Sequence, residues 1–235
     1  MTFSASPSLN PIPLWHVPTE QARLSMIGSR AFLLDAVGPL DLPLQRRIWG
    51  LAQTVRQHPD VAELVPGMTN LLVVLRRTPK DVEGVVDFLQ ESWAAAGELQ
   101  QPGRLIEVPT CYGGEHADDL PGICDYTGLS DREVIMRHQQ GLYTVLALGS
   151  APGFAYLAGL DPSIQVPRKK VPSLRMLRGT VTIGGPQTGI AALTGPNGWN
   201  ALGFAELEVF DPVASPPTLL APGDQVRFVP ERIEL

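Results

Sequence analysis

The chain has 235 residues, of which 44% are hydrophobic and 18% charged, the composition of a folded protein at a length that suits two modest domains. A formal charge of −6 argues against nonspecific nucleic-acid binding, which needs phosphate neutralisation. The longest apolar runs, such as "NLLVVL" at 70–75, fall far short of the about 20 residues a membrane helix needs, so neither nucleic acid nor membrane is expected as a partner.

Residues 1–21 read as a Pro/Ser-rich arm with no basic start and no continuous apolar segment, unlike a secretory signal. Two cysteines, Cys111 and Cys124, give no disulfide framework, so a reduced, cytoplasmic protein is expected. Residues 22–103 read as a small α/β domain. "RAFLLDAV", from Arg30, is strand-like, and "GPLDLP" is a turn. Leu44, Ile48, Leu51 and Val55 then mark one face of a helix that ends near 58–60. "NLLVVLRR" reads as a buried strand. "TPKDVEGVVDFLQESWAAAG" reads as a second helix, with Thr78 as cap, Pro79 at its first position and Asp81 in the acidic capping-box place. Its buried stripe is Val82, Val85, Val86, Leu89 and Trp93, Gly97 stops it, and Trp93 is a core residue rather than a binding platform. Together these make a β-α-β-α unit with its helices on one sheet face.

"GELQQPGR" at 97–104 is a polar break, and residues 104–235 form the second domain. One helix is expected there, "SDREVIMRHQQG", with a capping box from Ser130 and Glu133 and a stop at Gly141. The short runs "YTVLAL", "GTVTIGG" and "VRFVP", separated by Gly/Pro turns, favour a β-barrel or sandwich, and "APGDQVRFVP" reads as a tight turn into the last strand. The fold class is therefore α+β.

Several familiar sites are excluded. "IGGPQTGI" at 183–190 lacks the lysine and Ser/Thr of a phosphate loop, and Ser150 lies in no GxSxG elbow. Cys111, His116, Asp118, Asp119 and Cys124 lie close in sequence but show no CxxC, HExxH or paired-histidine spacing, so no metal is expected. Two features remain. His138 falls in the last turn of its helix, where the dipole favours a charged imidazole that could contact an anion or carry a proton, or could simply cap its own helix. From Pro162 to Ala205 there is no acidic residue, whereas Arg168, Lys169, Lys170, Arg175 and Arg178 all lie within, a pattern that fits either attraction of a small anion or a solvated basic loop.

"GSAPGFAYLAGLDP" at 149–162 packs three glycines, two prolines and two aromatics into fourteen residues. With "VPRKKVPS", "GTVTIGGPQTGI", "GPNGWNALG", "VFDP" and "LLAPGDQVRFVP", it resembles the family of the 5-oxoprolinase B subunit, allophanate hydrolase subunit 1 and the sporulation-kinase inhibitor KipI, from about residue 24 onward. The resemblance implies a small α/β domain followed by a cyclophilin-like β-barrel. It implies a companion barrel protein like the C subunit of 5-oxoprolinase and, for oxoprolinase, a further protein like its A subunit. It also implies ATP as cofactor, bound by the complex or by this chain, and an anionic amide substrate such as 5-oxoproline, opened to glutamate. Carried over residue by residue, His138 and Arg168 would hold a carboxylate or phosphate and serve catalysis. Gln187 would hydrogen-bond an amide, and Pro152, Gly153, Phe154, Tyr156 and Trp199 would form the substrate pocket. The family's Gly-Arg-Thr-Pro segment is replaced by "GFAE" at 203–206, which removes an arginine and brings Glu206 near the expected site. The leading expectation is a subunit of an ATP-dependent amide hydrolase. The rival is a KipI-like inhibitor of a sensor histidine kinase with no enzymatic role.

Overall fold

The computed structural model describes residues 15–16, 22–38, 40–99 and 103–235. They form two compact units divided between residues 100 and 101. Of the expected arm over 1–21, only Trp15–His16 lie within the described residues, and they are a strand rather than a free arm.

The N-terminal unit runs β1 (Trp15–His16), β2 (Ala22–Ile27), β3 (Ala31–Ala36), α1 (Leu42–Val55), β4 (Val61–Pro66), β5 (Asn70–Leu75) and α2 (Val82–Ala95). Its five-stranded sheet has the order β1-β2-β3-β5-β4, with every neighbouring pair antiparallel. The β-α-β-α expectation omitted β2 and β4. Strand β2 does alternate, with Ala22 and Leu24 buried between the more exposed Arg23 and Ser25, whereas β4 is an edge strand whose side chains are mostly solvent-facing. The expected helices form, but the start of α2 is corrected. Asp81 is itself the cap, its Oδ1 accepting the Gly84 N–H at 2.9 Å, and Thr78 lies outside the helix. Phe32, Leu34, Leu71 and Val73 from alternate positions of β3 and β5 share one core with Ile48, Leu51, Val86, Leu89 and Trp93. Trp93 is fully buried beneath the Arg47 guanidinium, 3.9 Å from the ring centroid.

The C-terminal unit contains β6 (Leu105–Gly113), α3 (Leu120–Thr127), α4 (Asp131–Gln140), β7 (Tyr143–Leu148), β8 (Ala155–Ala158), β9 (Ser173–Met176), β10 (Thr180–Gly184), β11 (Gln187–Ile190), β12 (Gly195–Asn197), β13 (Asn200–Phe204) and β14 (Gln225–Glu234). Seven strands close a barrel in the order β10-β11-β8-β7-β14-β6-β13, with β14 parallel to β6. Strands β9 and β12 form a separate two-stranded sheet.

The capping box of α4 is present, Ser130 N–H donating to Glu133 Oε2 at 2.9 Å. Only the helix from Ser130 was read in this domain, so helix α3 was not expected. Its proline occupies the first turn, where no hydrogen bond is lost, and Gly128 ends it at φ +71°. The last strand starts from a fixed corner. Asp224, 4% exposed, accepts from Arg104 N at 2.9 Å, from Arg104 Nη2 at 2.5 Å and from Ala221 N at 3.0 Å. Among the described residues no helix is long and apolar enough to cross a membrane.

Candidate functional site

Strand β11 separates the expected site residues into two groups. Successive side chains on a strand point to opposite faces, so Thr188 and Gly189 face opposite ways. His138 meets Thr188, whereas Phe154 lies against Gly189. The histidine and the aromatic residues therefore stand on opposite sides of one strand.

His138 is fully buried. Its Nε2 lies 2.8 Å from Thr188 Oγ1 and its Nδ1 lies 2.8 Å from Tyr112 Oη. Thr188 spends its hydroxyl proton on Thr182 C=O at 2.9 Å, so its oxygen accepts from His138 Nε2–H, and Nδ1 then accepts the Tyr112 hydroxyl proton. Tyr143 Oη donates to the His138 carbonyl at 2.6 Å, and Phe228 packs 4.7 Å from the ring. Burial alone lowers the histidine pKa to about 3, and burial likewise pushes the Tyr112 phenol well above its ordinary value. The expectation of a charged imidazole holding an anion at the helix end is thus corrected. Desolvation outweighs the helix dipole, and both ring nitrogens are already used in a neutral hydrogen-bond chain.

Of the other seven residues, Phe154, Tyr156 and Trp199 touch one another on the opposite face, Gln187 shares that face, and Pro152, Gly153 and Arg168 lie on adjoining segments. Gly149–Phe154 is the hairpin loop between β7 and β8, closed by Gly149 N–H to Phe154 C=O at 3.0 Å, with left-handed backbone at Ser150 and Gly153. Gly153 admits this approach: a Cβ there would stand 2.7 Å from Phe210 Cβ and from Val209 O. The loop presents Phe154, which meets Tyr156 edge-on at 4.9 Å and Trp199 edge-on at 5.6 Å. Gly189 clears the ring of Phe154, and Gly184 clears Trp199, whose indole would lie 2.7 Å from an added Cβ. Gln187 shares the Gly189 face by strand alternation and is buried. Pro152 is exposed in the loop, and Tyr156 is half-buried. Arg168 is exposed beside Gly198, its Nε and Nη2 each 3.7 Å from where a Cβ would sit. This leaves an aromatic cluster of Phe154, Tyr156 and Trp199 in which Tyr156 is the half-exposed member, able to cover a flat apolar ring, while Arg168 is an exposed cation beside Gly198, the residue before Trp199, and able to bind a carboxylate.

Two placements escaped the sequence. Lys169 Nζ bonds Asp119 Oδ2 at 2.6 Å and Ser173 Oγ at 2.6 Å, and the same Asp119 oxygen accepts Ala201 N–H at 2.8 Å. Nothing in a run of three basic residues marks the middle one as paired. Glu206, in turn, is not beside the aromatic cluster. Trp199 precedes β13 and Glu206 follows it, about 16 Å away for a strand of this length. Glu206 instead lines a cavity of about 210 Å3 with Cys111, His116, Phe204, Glu231 and Arg232. The glycines of "IGGPQTGI" form the β10–β11 hairpin, where Gly184 pairs with Gln187 and no helix follows, so they offer no phosphate loop.

The carboxyltransferase domain, subdomain C and D, matches residues 22–220. The chain is 40% identical over 213 residues to the 5-oxoprolinase B subunit of Escherichia coli O157:H7, covering 91% of this chain and 98% of that protein. The crystal structure of TTHA0988 superposes with a TM-score of 0.74 at 35% identity over 86% of this chain, which spans 40% of that longer protein. The K. lactis urea amidolyase structure superposes with a TM-score of 0.77 over 95% of this chain and 16% of its own, at 19% identity, a likeness of fold alone.

Proposed function

The chain belongs to the carboxyltransferase-domain family, subdomain C and D, and from that premise we propose that it is a subunit of an ATP-dependent amide hydrolase, a 5-oxoprolinase acting with companion subunits. The observation that carries this reading is 40% identity spread over 98% of a 5-oxoprolinase B subunit.

The aromatic face suits the substrate. 5-Oxoproline is a five-membered lactam bearing one carboxylate. Tyr156, backed by the buried Phe154 and Trp199, offers an apolar wall for the ring, Arg168 a charge-assisted contact for the carboxylate, and Gln187 a carboxamide for the lactam amide. The net reaction adds water across the lactam C–N bond to give glutamate. ATP is the cofactor on this reading, bound by the complex or by this chain. His138 has no part in the chemistry on this reading; it holds α4 against the barrel strands.

The test is glutamate formation from 5-oxoproline and ATP, with this chain omitted, added alone, or added with its two companions, the C-like barrel protein and the A-like protein. Turnover only in the complete mixture supports the reading. An assembled complex without turnover overturns it and moves a kinase-binding role to the front.

A further inference from the structure

Strands β9 and β12 pair only with each other among the described residues, so each has one edge with no strand partner. On and beside β9, Val171 is 81% exposed and Leu174 85%. Arg168, Lys170 and Arg175 surround them, all exposed and none in an ion pair among the described residues. The two remaining cations of the segment are neutralised, Lys169 by Asp119 and Arg178 by Glu208 at 2.8 Å. The uncompensated charge is therefore concentrated around the exposed aliphatic pair.

The element is firmly held. Lys169 N–H donates to Gly198 C=O at 2.7 Å and Arg178 N–H to Thr194 Oγ1 at 3.0 Å. Met176 is buried with Ala191 and Ala201. Two aliphatic side chains held in water on an anchored element gain nothing for the chain's own core and are available to a partner.

We propose that this β9 flap is a docking surface for a protein face that is apolar at its centre and acidic at its rim, supplied by the C-like companion barrel protein. The inference rests on the functional reading above. Charge selects the partner. The segment from 162 to 205 carries no acidic residue in a chain of net charge −6, so the flap attracts an acidic surface and repels a second copy of itself. The exposed apolar groups are aliphatic, while Trp199 is buried, so the flap has no stacking platform for nucleic-acid bases. A strand edge with no strand partner can accept a further strand from a protein, which a lipid surface cannot supply.

The experiment measures binding of the full chain to the C-like companion barrel protein by calorimetry, and turnover of the complete mixture. Three variants are used: Leu174→Glu, the double variant Lys170→Glu with Arg175→Glu, and Val213→Glu as an exposed control outside the flap. Melting temperatures check that each remains folded. The proposal expects a tenfold or greater loss of affinity for the first two, none for the control, and weaker wild-type binding as salt rises. Wild-type assembly and turnover with unchanged binding by the flap variants would overturn the docking surface and leave the enzyme reading intact. Failure of the wild type to bind the companion would overturn both. Flotation of the wild type, but not Leu174→Glu, with phosphatidylserine vesicles would overturn the protein partner in favour of a lipid surface.

Discussion

Lys169 Nζ stands 2.6 Å from Asp119 Oδ2, tying together residues 50 apart in sequence, and that same oxygen holds the Ala201 N–H at 2.8 Å. One carboxylate thereby fixes the approach to α3, the basic segment and β13. Both side chains are mostly buried, at 15% and 22% exposure.

Asp119→Ala leaves a shielded ammonium and a backbone N–H without their acceptor, and is expected to cost about 2–3 kcal/mol. Lys169→Met keeps the stem and removes the charge, and is expected to cost less. Urea unfolding of the two variants decides the order; equal costs would mean that the Ala201 contact contributes nothing.

His138 sets a pH dependence of stability. Its pKa falls from an ordinary 6.5 to about 3 in the folded protein, so between those values the unfolded chain takes up a proton that the folded chain refuses. The stability tied to the neutral imidazole is complete above pH 6.5 and declines as pH falls toward 3, by up to about 1.4 kcal/mol per pH unit. His138→Gln removes that slope while costing stability at neutral pH through the loosened Tyr112 and Thr188 contacts. Urea midpoints at pH 4.5, 5.5 and 6.5 test this, and parallel curves for the two proteins would contradict it.

Gly153→Ala should destabilise the hairpin that carries Phe154. The residue sits at φ +79°, where a Cβ costs about 1–2 kcal/mol, and the added carbon would also meet Phe210 Cβ and Val209 O at 2.7 Å. A total near 2–4 kcal/mol is expected in thermal unfolding. Gly149→Ala, with open space around its Cβ, is the control expected to have little effect.

In the assembled complex, Arg168→Ala should lower kcat/KM for 5-oxoproline at least tenfold, the loss of one charge-assisted hydrogen bond. Tyr156→Ala should raise KM with a smaller effect on kcat, because an apolar wall binds substrate and transition state alike. Steady-state kinetics separates the two; unchanged parameters in both would remove the aromatic face as the substrate site.

What the sequence by itself determined was local or strongly periodic. The apolar spacing of Leu44 to Val55 specified α1, Ser130 and Glu133 specified the start of α4, and the ordered run of "PGFAYL" and "QTGI" marked the family and its barrel. These signals act within a few residues, through side-chain periodicity, capping and turn geometry. Strand β4 was silent because an edge strand buries too little to alternate, and α3 because a proline and a glycine in its first turn imitate a loop. Only the tertiary structure decided which candidate residues come together. His138 and Phe154 read as neighbours of one pocket, yet the alternation of Thr188 and Gly189 sends them to opposite faces of β11. The charge on His138 was settled by complete burial, Lys169 was singled out from its basic neighbours by an aspartate 50 residues away, and Glu206 was carried off by the length of β13. Each outcome depends on which distant groups surround a side chain, and burial and pairing of that kind exist only once the barrel has closed.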